Sequence, residues 1–113
     1  MISDNLKLTG NLTIAVNNEI VQETKNLVVT AGKNFVASRM KDTSKAAMTH
    51  MAVGTGTTAA AAANTTLVSE TDRNALTSTT VTNNEIAYVA TWAAGDATAA
   101  LTEAGIFNAS SGG

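Results

Sequence analysis

The sequence predicts a mainly β chain, an antiparallel sandwich-like domain with one short helix at about residues 31–41. Three observations predict it. Apolar and polar residues alternate with a period of two in several short segments. Asn-Asn and Gly-Asp pairs punctuate those segments where tight turns belong. Only one stretch carries the i, i+4 spacing of a helix.

The first element is a hairpin. Leu12, Ile14 and Val16 alternate with Thr13 and Ala15, and Asn17-Asn18 follows. Asn tolerates the positive φ that a two-residue hairpin turn demands. The chain returns through Glu19-Ile20-Val21-Gln22, and the β-branched run Leu27-Val28-Val29-Thr30 predicts a buried strand. The helix comes next, with Thr30 as N-cap. Ala31, Phe35 and Arg39 share one face, as do Val36 and Met40. Gly32 weakens that helix.

Beyond a polar connection, Thr49, Met51 and Val53 alternate with His50 and Ala52 in a short strand that Gly54-Thr55-Gly56 stops. Thr57–Thr66 is low in complexity and predicts a loop with at most one helical turn, anchored to the core by Leu67 and Val68. Ala75, Thr77, Thr79 and Val81 alternate up to a turn at Asn83-Asn84. Ile86, Tyr88, Ala90 and Trp92 then fall on one strand face. Gly95-Asp96 turns the chain into a last strand, Ala97 to Phe107.

Composition narrows the function. The 113 residues fit a single domain. Net charge is −2 and only 14% of residues are charged, so no field large enough to recruit nucleic acid is present. There is no Cys, hence neither disulfides nor thiolate metal sites. Met1–Asn5 lacks the basic and apolar regions of a signal peptide, and Ala59–Ala63 is too short to cross a bilayer. The expectation is a soluble protein with no membrane partner. Although 44% of residues are hydrophobic, only 4% are aromatic, and much of the apolar share is alanine. Burial contributes roughly 25 cal/mol per Å², so small side chains yield a weak core. Neighbouring subunits could supply the rest.

No motif carries catalysis. His50, the single histidine, has no serine in a nucleophile-elbow context and reads as a strand residue. Gly54-Thr55-Gly56-Thr57-Thr58 lacks the Lys-Ser/Thr pair of a phosphate loop; its glycines are expected to relieve backbone strain at a strand end. Glu70, Asp72, Asp96 and Glu103 stand on separate elements and read as solvated charges. A glycosidase would need two of them roughly 5 to 10 Å apart. Glu70 and Arg73 are placed to pair locally. Tyr88, Trp92, Ile106 and Phe107 are the expected interface anchors, because large apolar side chains dominate burial at interfaces. No cofactor-binding, metal or catalytic residue is expected.

Four segments together resemble a family. Leu27-Val-Val-Thr-Ala-Gly-Lys33, Met48-Thr-His-Met-Ala-Val-Gly-Thr-Gly56, Thr65-Thr-Leu-Val-Ser-Glu-Thr-Asp-Arg73 and Thr102-Glu-Ala-Gly-Ile-Phe107 look like small bacteriophage and prophage virion proteins. More distantly they are similar to the attachment domains of tail fibres. The resemblance implies a non-enzymatic virion structural protein, assembled in the host cytoplasm. It would act as a capsid decoration (cement) protein or a tail-fibre or baseplate module. Its implied partners are the major capsid protein or tail and baseplate proteins, and copies of itself, a homo-oligomer that includes trimers among its forms. Family members continue past the Gly-Ile-Phe strand, so either this sequence is a piece of a longer one or a neighbour supplies the last strands. The rival expectations are a receptor- or carbohydrate-binding module, using Tyr88 and Trp92, and a depolymerase fragment, using Asp96 and Glu103.

Overall fold

The structure is a computed structural model that describes residues 7–41, 45–93, 95–96 and 100–113. Of these, 41% lie in strands and 12% in one helix, which makes the class mainly β, as expected. In chain order the elements are β1 (Gly10–Val16), β2 (Glu19–Asn26), α1 (Thr30–Lys41), β3 (His50–Gly54), β4 (Glu70–Ala75), β5 (Ser78–Thr82), β6 (Glu85–Val89) and β7 (Glu103–Phe107). They form three antiparallel sheets: the pair β1-β2, the triplet β4-β3-β7 and the pair β5-β6. Two packed layers, the further part of the sandwich expectation, are compatible with these pieces without being displayed by them. The chain divides into two compact units, Met1–Asp42 with Ala60–Thr65, and Thr43–Ala59 with Thr66–Gly113.

The first unit holds the β1-β2 hairpin and α1. Asn17 and Asn18 take φ of 53° and 64°, the left-handed conformation their short amide side chains tolerate. Leu12 and Ile14 are half-buried, whereas every residue of β2 is exposed. The expected strand Leu27–Thr30 is not formed. β1 begins at Gly10, paired with Asn26, so β1 offers nothing for residues beyond Asn26 to pair with. Thr30 is the first helical residue, and its N–H donates to Ala62 O at 2.8 Å. The Val29 carbonyl accepts from Lys33 N–H, so Val29 takes the capping position expected of Thr30. Phe35 and Val36 are half-buried, and Arg39 and Lys41 in the last turn suit the negative end of the helix dipole. The 57–66 loop contains a turn and no helix, closed by Asn64, whose Oδ1 accepts from Ala61 N–H.

The second unit is built on β3, the middle strand of the triplet. Ala52, Val53 and Phe107 are the buried apolar residues among those described. The single strand expected over 75–81 is instead two strands in different sheets. The handover occurs at consecutive amides: Leu76 N–H donates to Thr49 O, and Thr77 N–H to Val89 O. A strand's successive amides point to opposite sides, so the chain passes from one sheet into the next without a loop. The last strand is shorter than expected, covering Glu103–Phe107; Ala97–Ala99 lie outside the described residues. Gly95 takes φ of 93° in the expected turn with Asp96.

Candidate functional site

The most densely bonded region of the second unit is where Glu103, at the start of β7, meets the segments after β3 and before β4. Glu103 Oε2 accepts from Gly56 N–H at 2.6 Å and Ser69 N–H at 2.8 Å, and Oε1 accepts from Val68 N–H at 2.7 Å. Thr102 adds two bonds, its N–H to Gly54 O and its hydroxyl to Gly56 O. One carboxylate therefore pins both ends of the 55–69 loop to β7. Charge-assisted bonds of this kind are about twice as strong as neutral ones. The expectation that Glu103 is a solvated charge is wrong.

The glycines here serve close approach and not backbone strain, since neither Gly54 nor Gly56 has a positive φ. A Cβ on Gly54 would stand 2.3 Å from Ser69 O, and one on Gly56 would stand 2.3 Å from Glu103 Oε2 and 2.5 Å from Val68 Cβ. The Gly56 amide, which a phosphate loop would aim at an anion, is already occupied by the Glu103 carboxylate.

Arg73 on β4 organises the other end of the triplet. Arg73, Ala52 and Gly105 form one cross-strand row. Side chains in such a row share a face, and Phe107, two residues after Gly105, shares it too. The missing side chain at Gly105 makes room for the Phe107 ring: a Cβ there would lie 3.1 Å from Phe107 Cε2 and 3.3 Å from Leu67 Cδ2. The Arg73 guanidinium caps the ring at 3.9 Å from its centroid. It also grips Glu70 through two bonds, 2.7 and 3.2 Å, and donates to the carbonyls of Ala109 and Gly112. The expected Glu70–Arg73 pair is present, and with the arginine side chain only 8% exposed it is more than a surface contact.

The expected anchors are distributed unevenly. Phe107 is buried in the core and Ile106 half-buried beside it on β7. Tyr88 and Trp92 are half-buried near the β5-β6 hairpin, and burial pushes the Tyr88 hydroxyl pKa up. The Trp92 Nε1 is buried and has no hydrogen-bond partner among the described residues. Leu67 is half-buried against β7, whereas the Val68 side chain is exposed and that residue holds the loop through its backbone N–H to Glu103. His50 begins β3, half-buried, with Nδ1 at 2.7 Å from Thr49 Oγ1, a satisfied strand residue. Among the described residues no group of His, Asp and Glu is gathered to hold a metal.

Desolvation raises the Glu103 pKa, but its three backbone donors outweigh that and hold it below the ordinary glutamate value. A depressed carboxylate contributes stability that is present above its unfolded pKa and lost as pH falls through the folded one. Unfolding of the second unit, followed by Trp92 fluorescence, should therefore become easier on acidification into that range. Glu103→Gln should be weaker at neutral pH, by roughly 1–2 kcal/mol because a neutral amide replaces a charged acceptor. It should also lose much of that acid dependence. An unchanged acid profile in the variant would remove Glu103 as its source.

No protein-family model, curated protein or solved structure matches this chain.

Proposed function

We propose that the chain is a non-enzymatic structural protein of a bacteriophage virion, binding capsid or tail subunits as a decoration or fibre-attachment module. The observation that carries this reading is the surface left uncovered. Val16, Ile20, Val21, Val81 and Ile86 are large apolar side chains on strands, and each is half or more exposed. Apolar strand surface of this kind, gathered in patches, marks a place where another protein binds.

Among the described residues, two of the three sheets are two-stranded hairpins, and such a hairpin is at best marginally stable in water. Neighbouring subunits would complete them. The segments that resemble virion proteins also supply the interlocked residues: Gly54 and Gly56, Leu67, Glu70 and Arg73, and Glu103, Gly105 and Phe107. Their shared pattern is thus a packing rule with no catalytic group in it. Glu103, which a depolymerase would need, already has both carboxylate oxygens engaged by backbone donors.

The test is particle fractionation. Phage particles released from the producing cells and banded by density should contain the chain at a fixed ratio to the major capsid or tail protein, measured by quantitative mass spectrometry. Material left wholly in the soluble fraction, with intact particles lacking it, overturns the proposal.

A further inference from the structure

The β5-β6 hairpin has a free edge whose chemistry favours its own copy. Five uncharged residues, Ser78-Thr79-Thr80-Val81-Thr82, form β5. It lacks the Lys or Pro with which exposed edges are commonly blocked. The other strand of the hairpin carries Glu85.

The register fixes which backbone groups face outward. Asn83-Asn84 is a two-residue turn, with Asn83 at φ 53°, flanked by the pair Thr82↔Glu85. Two-residue hairpins close on a hydrogen-bonded pair, and such pairs alternate along an antiparallel ladder. Thr80↔Ala87 is then also hydrogen-bonded, while Thr79↔Tyr88 and Val81↔Ile86 are not. The N–H and C=O of Thr79 and Val81 are thereby directed away from β6, and among the described residues they have no further partner.

We infer that β5 pairs antiparallel with β5 of a second copy of this chain, about a two-fold axis at Thr80, to give a four-stranded sheet. This deepens the assembly reading above, and rests on it in taking the uncovered surface as surface meant for subunits. Thr79 of one copy then exchanges both backbone bonds with Val81 of the other, using the groups left over. Three features favour a copy as the occupant. The two-fold arrangement sets no charge against a like charge along β5. A hairpin gains the additional strands it needs for stability. Apolar side chains also stand uncovered beside the β5 edge, on the face that a second copy would extend. On that face Val81 is 70% and Ile86 50% exposed, and pairing sets the two beside Thr79 and Tyr88 of the second copy as one strip.

The axis makes a covalent test available, because the chain has no cysteine. Thr80 meets Thr80 of the second copy in a non-hydrogen-bonded pair, where Cα atoms lie roughly 4.5 Å apart, within reach of a disulfide. Thr80→Cys should crosslink to a dimer under mild oxidation, while Thr13→Cys, on the exposed face of β1, should stay largely monomeric. The wild-type chain should double its mass in sedimentation as concentration rises. Thr80→Lys, which sets two ammonium groups face to face, should weaken that association about ten-fold or more. A wild-type dimer in which Thr80→Cys crosslinks no faster than Thr13→Cys overturns the β5 pairing and leaves the assembly reading intact. A wild-type chain that is monomeric at every concentration overturns it as well, and the virion reading then rests on particle fractionation alone.

Discussion

Replacing Gly54 with alanine should lower the unfolding free energy of the second unit by about 3 kcal/mol, the upper range for forcing a methyl into a packed site. The same replacement at Gly32 should stabilise the first unit by roughly 0.5–1 kcal/mol, the helix propensity of alanine over glycine. The opposite signs follow from what the new Cβ meets. At Gly54 it meets the Ser69 carbonyl oxygen at 2.3 Å and carbon at 2.9 Å. These are backbone atoms of the segment leading into β4, and they cannot rotate away. The segment must retreat, and with it go the Ser69 amide bonded to Glu103 and the Thr55 N–H bonded to Ser69 O. At Gly32 the new Cβ lies 3.5 Å from Val28 Cγ1 and 4.0 Å from Val29 Cγ2, ordinary contact.

Gly56→Ala tests the same junction through the carboxylate. Its Cβ displaces the Glu103 Oε2 oxygen and also crowds Val68 Cβ. Glutamate can swing aside, but then three N–H groups lose their acceptor. Combining Gly56→Ala with Glu103→Ala should therefore cost less than the two separate losses added, because both remove the same bonds. Denaturant unfolding followed at Trp92 reads the second unit, and far-UV circular dichroism of α1 reads the first. Equal and small effects at Gly54 and Gly32 would mean the 55–69 loop is not clamped as described.

Much of the fold was legible because period-two patterning and turn chemistry are local signals. Both Asn-Asn turns, the β1-β2 and β5-β6 hairpins, the short strand stopped at Gly54 and the helix within one residue at its start all followed from them. What escaped depended on partners far along the chain. Leu27–Val29 has the side chains of a strand, yet no strand residue lies opposite, so it feeds the helix instead. The break at Leu76–Thr77 is invisible to alternation, because the side-chain period continues while the amides change sheets. Glu70–Ala75, rich in charge, does not resemble a buried strand until β3 pairs with it.

At the candidate site the residues were noticed but misassigned. Glu103 read as a surface charge because its donors lie 34 to 47 positions away. The only nearby cue was the pair of glycines, and that cue suggested backbone strain where the structure shows crowding. Glu70 and Arg73, three apart, were local enough to pair on paper. The second half of Arg73's role, capping Phe107 and holding the Ala109 and Gly112 carbonyls, required the sheet order β4-β3-β7.

That order makes Phe107 the most consequential side chain in the second unit. Phe107→Ala should cost about 3–5 kcal/mol, the range for deleting a buried ring. This approaches the whole stability of a small domain, so the unit should be largely unfolded at room temperature. The buried apolar set holds few members, and Ala52 and Val53 are too small to close the gap. Phe107→Leu separates volume from aromaticity. It keeps most of the apolar bulk but gives Arg73 no π-face, and should cost roughly 1–2 kcal/mol, of which cation–π contact is about half. Arg73→Ala should cost about 2 kcal/mol, less than a fully buried ion pair, because Glu70 is partly solvated and screened. Its distinguishing effect is local: amides of residues 109–113 should exchange faster with solvent, since the carbonyls of Ala109 and Gly112 lose their shared donor. In a double-mutant cycle, Arg73→Ala with Phe107→Leu should show positive coupling of about 0.5–1 kcal/mol. Strict additivity of the two would mean that guanidinium and ring are neighbours without interacting, and that Arg73 acts on the tail and Glu70 alone.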